Sequence, residues 1–307
     1  MRKYQIKNKI GAVLLFFLSL PVIAGEYTKP KQGNDLVGEN YTITTEQGDS
    51  LDIIRGKHGV SYDELLVANP GINFYKLKVG QRVVIPKQFI LPKFREGIVV
   101  NTPELRLYYF DVDSDSIFSY PVGLGRENWR TPLTATKVVG KKANPPWRVP
   151  ESIRNYVYNK TGKLLPDVVA PGPQNPLGSY ALYLSKSGYL IHGTNAPTSV
   201  GTFISSGCIR MLKDPIETLY REVEVGTPVR IIHYPYKAGW LGNKLYLEVH
   251  KAVATYAKAP SSELNCLDVK AVIQEATSER PAKKIDWEIV EKIIKEKSGI
   301  PGVIGYD

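Results

Sequence analysis

Leu105-Arg106-Leu107-Tyr108-Tyr109-Phe110, the acidic stretch Asp111-Val112-Asp113-Ser114-Asp115 and then Ser119-Tyr120-Pro121-Val122 read together as one β-hairpin, two apolar aromatic-rich runs around a turn. The turn spaces carboxylates as a calcium loop does, but its sixth position is Ser116 where glycine is required and its twelfth is Val122 where a bidentate Glu is required. It is expected to be a solvated turn. The pattern returns at Tyr180 to Leu184 and Tyr189 to His192 around a Ser185-to-Gly188 turn, and Val229 to Ile232, opened by Pro228, adds a strand. Residues 97–232 are therefore expected to hold the largest core and to fold as a mainly β, mostly antiparallel domain in a chain that also carries α-helices.

Upstream, residues 41–86 read as a small strand-helix-helix-strand unit. Tyr41-Thr42-Ile43-Thr44 alternates as a half-buried strand does, and Arg82-Val83-Val84-Ile85 closes the unit before Pro86. Gly48-Asp49-Ser50 turns into one helix, Ser61 and Glu64 have the spacing of a capping box opening another, and Asn69-Pro70-Gly71 ends it. Lys87 to Lys93 is a Pro-flanked linker. Downstream, residues 233–307 predict an edge strand at Lys244 to His250 and a helical hairpin packed on the β domain. Leu264, Leu267 and Ala271 mark its first helix, with Cys266 on the apolar half beside Val269 and Ile273. Asp286 caps a second, with Trp287, Val290 and Ile294 on its face.

The 307-residue length gives about two domains, and 43% hydrophobic with 23% charged residues is a globular composition. Four His, two Cys, no paired CxxC and no HExxH leave little to hold a zinc ion, so neither a metal nor another cofactor is expected. Arg2, Lys3, Lys7 and Lys9 precede the apolar run Ile10 to Leu20, and Val22-Ile23-Ala24 follows Pro21. Residues 1–24 read as a signal peptide cleaved after Ala24, with an apolar core too short to span a bilayer. The formal charge of +10 then falls to 36 basic against 30 acidic side chains. No Lys/Arg stripe with interleaved aromatics stands out, so nucleic acid is set aside as a partner.

The chemistry-bearing stretches are Ile191-His192-Gly193-Thr194-Asn195 and Ser205-Ser206-Gly207-Cys208-Ile209-Arg210-Met211. A thiol attacks a carbonyl as thiolate, and an imidazole can take its proton and later return one to a leaving amine. His192 and Cys208 are the obvious pair. Gly207 leaves the approach to Cys208 open, and Arg210 offers a charged fork to a carboxylate. At this level three fates of the thiols stand side by side: catalysis at Cys208, a Cys208–Cys266 disulfide in an oxidising compartment, and a buried reduced Cys266.

Two resemblances weight these readings. Tyr41, Gly48 to Leu51, Asn69-Pro70, Leu77, Gly80-Gln81 and Val84-Ile85-Pro86 resemble a LysM module. That implies a glycan strand with N-acetylglucosamine lying in a shallow groove formed by Gly48, Asp49, Ser50 and Leu51 with Asn69, Pro70, Gly71 and Ile72, mainly through backbone groups. HGTN followed by SSGCIRM, with Trp147-Arg148-Val149-Pro150, the stretch 168–178, Gly239-Trp240-Leu241 and the stretch 245–250, is similar to the exported Gram-negative branch of the L,D-transpeptidases. The resemblance implies a sandwich-like catalytic domain and a periplasmic enzyme acting on peptidoglycan. Cys208 would be the nucleophile and His192 the base, its ring held by the Gly193 carbonyl. The Gly207 and Cys208 amides would form the oxyanion site, and Arg210, Ser206 and Asn195 would face substrate. The acceptor would be the C-terminal lysine of an outer-membrane lipoprotein or the diaminopimelate of a second stem, the first favoured by the C-terminal extension. Ser206 stands where many members have His, and Thr131-Pro132-Leu133-Thr134 departs from their TPxG turn. A hydrolytic wall Cys peptidase and a non-catalytic glycan-binding scaffold are the rival readings.

Overall fold

The computed structural model describes residues 25–258 and 262–307; the expected signal peptide, 1–24, lies outside the described residues. The aromatic-rich hairpin pairs Arg106–Phe110 with Ser116–Pro121 in antiparallel register, Arg106 opposite Pro121. It belongs to a nine-stranded sheet ordered Glu26–Thr28, Ser116–Pro121, Arg106–Phe110, Gly97–Asn101, Pro228–Ile232, Thr134–Ala143, Tyr180–Leu184, Leu190–His192, Ile209–Arg210. Two junctions are parallel, Gly97–Asn101 with Pro228–Ile232 and Leu190–His192 with Ile209–Arg210. The rest are antiparallel.

Both faces of the central strands are covered, which is why they read as continuous apolar runs rather than as alternation. Ile98, Val100, Leu107 and Tyr109 face one core with Leu182, Ile191, Ile209 and, from the helix Lys213–Glu222, Ile216 and Leu219. Val99, Tyr108 and Phe110 face a second core with Val37, Phe89 and Ile232. The long strand Thr134–Ala143 carries the sheet from one half to the other: residues 134–137 pair with 228–231, and after a register shift at Val138/Gly140 the strand runs on against Tyr180–Leu184. Such a bulge bends a strand, and here it folds the sheet over its own core. The acidic turn is closed by Lys29, whose ammonium donates to the carbonyls of Asp111 (2.8 Å) and Ser114 (2.5 Å).

The N-terminal module has the expected order. Tyr41–Thr44 pairs antiparallel with Arg82–Ile85 around the helices Leu51–His58 and Tyr62–Ala68. The capping box is formed: the Glu64 amide donates to Ser61 Oγ (3.1 Å) and the Ser61 amide to Glu64 Oε2 (2.5 Å). The other oxygen of Glu64 accepts from Arg106 of the β domain, whose side chain is fully buried. Arg55 Nη2 donates to the Val200 carbonyl at 2.6 Å, and Gly201 passes so close to Ser61 that a Cβ there would lie 2.6 Å from the Ser61 Cβ. The module is thus docked on the β domain rather than tethered to it.

The C-terminal region differs from expectation in three respects. Lys244–Val249 is an inner strand of a four-stranded sheet, between Tyr236–Leu241 and Gly302–Tyr306, because the chain returns after Gly299 to add that last strand. The two helices, Val269–Thr277 and Trp287–Glu296, pack on this sheet through Ile273, Val290 and Ile293 and not directly on the β domain. Finally, Asp268 caps the first helix by accepting from the Lys270 and Ala271 amides, which leaves Cys266 upstream of it, packed with Leu264 against the second core. The region is anchored by Lys237, whose ammonium bridges the buried carboxylates of Glu104 (2.9 Å) and Glu248 (2.8 Å). Among the described residues Glu104, Glu248 and His250 are the one trio placed to share an ion, and that ammonium already holds both carboxylates.

Candidate active site

Parallel pairing of Ile191 with Ile209 and of His192 with Arg210 brings the two motifs side by side. His192 ends its strand almost fully buried, and its Nδ1 lies 2.6 Å from the Gly193 carbonyl. Burial pushes the imidazole down to about 4 and the nearby Arg210 adds to this, outweighing the hydrogen bonds to the Gly193 and Leu177 backbones that favour a charged ring. The ring is therefore neutral at neutral pH, with Nδ1–H donating to Gly193.

Cys208 occupies the loop before Ile209–Arg210, its Sγ 3.7 Å from the Gly188 carbonyl. Burial raises the thiol above its ordinary value of 9.0, while the Leu190 backbone amide and Arg210 work in the opposite direction. Both cysteines are free thiols, so no Cys208–Cys266 disulfide is formed. Cys208 and His192 line one cleft of about 510 Å³ together with Ser206 and Arg210. Among the described residues no hydrogen bond joins thiol and ring, as is often so in substrate-free enzymes. Lys142, Arg148 and Arg210 contribute positive charge to the wall, and among the described residues no carboxylate lines it. Arg210 Nε is buried there without a hydrogen-bond partner among the described residues.

Three features depart from the sequence reading. The Gly207 amide, expected to face substrate, donates to Ser205 Oγ at 3.1 Å, whereas the Cys208 amide donates to no group of the described residues. Asn195 is exposed and lines a separate cavity beyond Gly193, its amide donating to the Gln174 carbonyl at 3.2 Å. Ser205, unlike its neighbour Ser206, is the buried serine of the pair and donates to the Cys208 carbonyl at 2.6 Å. The two serines are adjacent in sequence, and only the loop geometry distinguishes them.

The flap over the cleft has no counterpart among the sequence expectations. Trp147–Arg148 pairs with Val168–Val169, and the helix Glu151–Thr161 lies between them with no buried residue of its own. Its Tyr156 ring packs against the ring of Trp129 (centroids 5.3 Å apart), and the Arg126 guanidinium lies against both rings, 4.4 and 4.5 Å from the centroids. Asn175 pins the base of the flap by donating to the Pro145 carbonyl at 2.9 Å.

In the N-terminal module, the side chains of three of the expected glycan residues are engaged internally. Asp49 accepts from the Glu46 amide, Ser50 caps its helix by accepting from Ile53, and Asn69 is buried with bonds to Leu65 and Val84. Leu51 and Ile72 pack partly against the module's core, and Gly48, Pro70 and Gly71 remain exposed.

Fold and cleft together define an enzyme with a cysteine-bearing cleft on a β scaffold joined to a small helical module, and comparison with known proteins specifies which. The L,D-transpeptidase catalytic domain (YkuD) matches residues 95–231 and the LysM domain residues 43–86. A probable L,D-transpeptidase of Escherichia coli K12, YcfS, is 37% identical over 97% of this chain and 96% of its own. Another from the same organism, YbiS, is 36% identical over 90% of each chain. A solved L,D-transpeptidase from Mycobacterium smegmatis aligns at 18% identity and a TM-score of 0.35 over 50% of this chain and 64% of its own. The chain belongs to the L,D-transpeptidase family and is an enzyme of that class. Its two domains imply binding to peptidoglycan and a place in the cell envelope. Among the described residues no helix is long and apolar enough to cross a membrane.

Proposed function

We propose that the enzyme transfers the acyl group of a tetrapeptide stem to an amine through a thioester on Cys208. The observation that carries this reading is the shared cleft: a thiol, a neutral imidazole oriented by a backbone carbonyl, and a wall with three cations and no anion. A peptide stem rich in carboxylates suits such a wall. His192 takes the Cys208 proton as Sγ attacks the carbonyl at the L-centre of diaminopimelate, and the oxyanion forms against the Cys208 amide. The C–N bond breaks, His192 gives its proton to the departing D-alanine amine, and a thioester remains. An acceptor amine then attacks, its proton passes to His192, the C–S bond breaks, and the thiolate recovers the proton.

The acceptor we favour is the C-terminal lysine of an outer-membrane lipoprotein, because the C-terminal sheet and helices are part of the resemblance and reach the loop beside Cys208 through Tyr256. The site then works in the periplasm, after removal of residues 1–24. Mass spectrometry of the reduced protein with disaccharide tetrapeptide, with and without a lysine-ended peptide, tests both steps. The expected products are an acyl-enzyme on Cys208 and a stem-to-peptide adduct; stem-to-stem dimers alone would reassign the acceptor, and free tripeptide stems alone would make the enzyme a hydrolase. Cys208→Ala should abolish D-alanine release, and retained release would sink the nucleophile assignment.

A further inference from the structure

The loop that departs from the family turn, Thr131 to Thr134, meets the Cys208 loop through one hydroxyl. Thr131 is buried, its Oγ1 accepts from the Gly125 amide (2.9 Å) and donates to the Gly207 carbonyl (2.8 Å). An amide N–H can only donate and a carbonyl can only accept, so the direction of both bonds is fixed.

The Gly207 carbonyl belongs to the same planar trans peptide as the Cys208 N–H. Holding the oxygen toward Thr131 aims the N–H the opposite way. That restraint matters at this position because Gly207 sits at φ +111, where a residue without a Cβ has several backbone conformations open to it. The neighbouring peptides are held separately, since Ser205 Oγ accepts from the Gly207 amide and donates to the Cys208 carbonyl. The peptide that carries the Cys208 N–H depends on Thr131.

Thr131 is in turn braced from the far end of the chain. Tyr256, in the short helix Ala254–Ala257, donates its hydroxyl to the Thr131 carbonyl, and Arg130 Nη1 donates to the Thr255 carbonyl at 3.3 Å. Asn265 Nδ2 donates to the Tyr256 carbonyl at 3.3 Å, and His233 fixes Asn265 with a 2.9 Å bond while accepting the Val253 amide at 3.0 Å. Burial pushes the Tyr256 phenol up to about 12, so it remains a donor through the working pH range.

We propose that Thr131 is a positioning residue that holds the Cys208 N–H as oxyanion donor, and that Tyr256 gives the C-terminal extension a direct part in setting that geometry. This rests on Cys208 being the nucleophile. Two reactions of the same thiol separate the two ideas: acylation by a tetrapeptide stem needs an oxyanion donor, whereas alkylation by iodoacetamide develops no oxyanion. In the full chain, Thr131→Val should lower kcat for D-alanine release by about 10- to 100-fold, toward the loss seen when an oxyanion donor is removed. KM and the alkylation rate should stay within about twofold of wild type, since neither substrate contacts nor the thiol's access depend on this peptide's direction. Thr131→Ser keeps the hydroxyl and should restore acylation to within about threefold. Tyr256→Phe, which loses only the brace, should cost about three- to tenfold in kcat, and it decides the matter if Thr131→Val does not fold. Unchanged acylation in these variants would overturn the proposal, and so would acylation and alkylation falling together, or a serine variant that fails to recover. D-alanine release by Cys208→Ala would instead overturn the nucleophile reading beneath it.

Discussion

At Cys208 two effects oppose each other: burial raises the thiol, and the Leu190 amide with Arg210 lowers it, with burial prevailing. His192 is held neutral by the same burial. The resting pair is therefore thiol and imidazole, not thiolate and imidazolium, and in the proposed mechanism deprotonation accompanies the attack. The rate of Cys208 alkylation by iodoacetamide should accordingly rise continuously through pH 9; a plateau reached below pH 7 would show a preformed ion pair. D-alanine release should fall away only as pH drops toward 4, where the ring becomes protonated. The residues of this pair were readable from their motifs because HGTN and SSGCIRM carry them at a specific spacing. Thr131 and Tyr256 were not, because their hydroxyls act across 76 and 125 positions, which no local pattern records, and Ser205, though inside the motif, is told from Ser206 only by the loop geometry.

The flap lines the cleft beside Cys208 with Trp147, Arg148 and Ile153. With no buried residue in Glu151–Thr161, the helix is held by the Tyr156 ring, which meets Trp129 and the Arg126 guanidinium, and the base of the flap by Asn175. A cation over aromatic faces contributes about 0.5–2 kcal/mol. Arg126→Ala should therefore raise KM for the tetrapeptide stem by about 3- to 30-fold and speed iodoacetamide alkylation of Cys208. A variant with wild-type KM and alkylation rate would mean that the flap is held by other contacts. Elements were legible where one pattern decided them, as in the 106–121 hairpin and the capping box of Ser61 and Glu64. The strand Gly302–Tyr306 went unread because five residues containing two glycines carry almost no alternation, and its absence made Lys244–Val249 read as an edge.

Over the whole molecule, the LysM module and the catalytic domain share a buried polar seam. The Glu64 carboxylate serves the capping box with one oxygen and the fully buried Arg106 with the other, so among the described residues the cation of one domain is paired by a carboxylate of the other. Removing one partner of such a pair costs about 3–5 kcal/mol. Deleting 41–86 would therefore weaken the catalytic fold as well as sacculus binding. Lys87, at the end of the module, completes the seam differently. It lies 5.4 Å from the Tyr27 ring centroid, and its ammonium is buried with no hydrogen-bond partner among the described residues. Burial, then Arg106, drives it down to about 7, with Glu64 opposing. Between pH 7 and its ordinary 10.5 the unfolded chain holds this proton and the folded chain does not, so stability rises with pH across that window and the penalty is largest at and below 7. Lys87→Met should then be more stable than wild type by a few kcal/mol at pH 7, since each tenfold loss of proton affinity on folding costs about 1.4 kcal/mol. The gain should shrink steadily as pH approaches 10.5, followed by urea unfolding at stepped pH. A difference that does not vary with pH would mean that Lys87 keeps its proton in the folded protein, and that the seam carries a third charge balanced by Glu64.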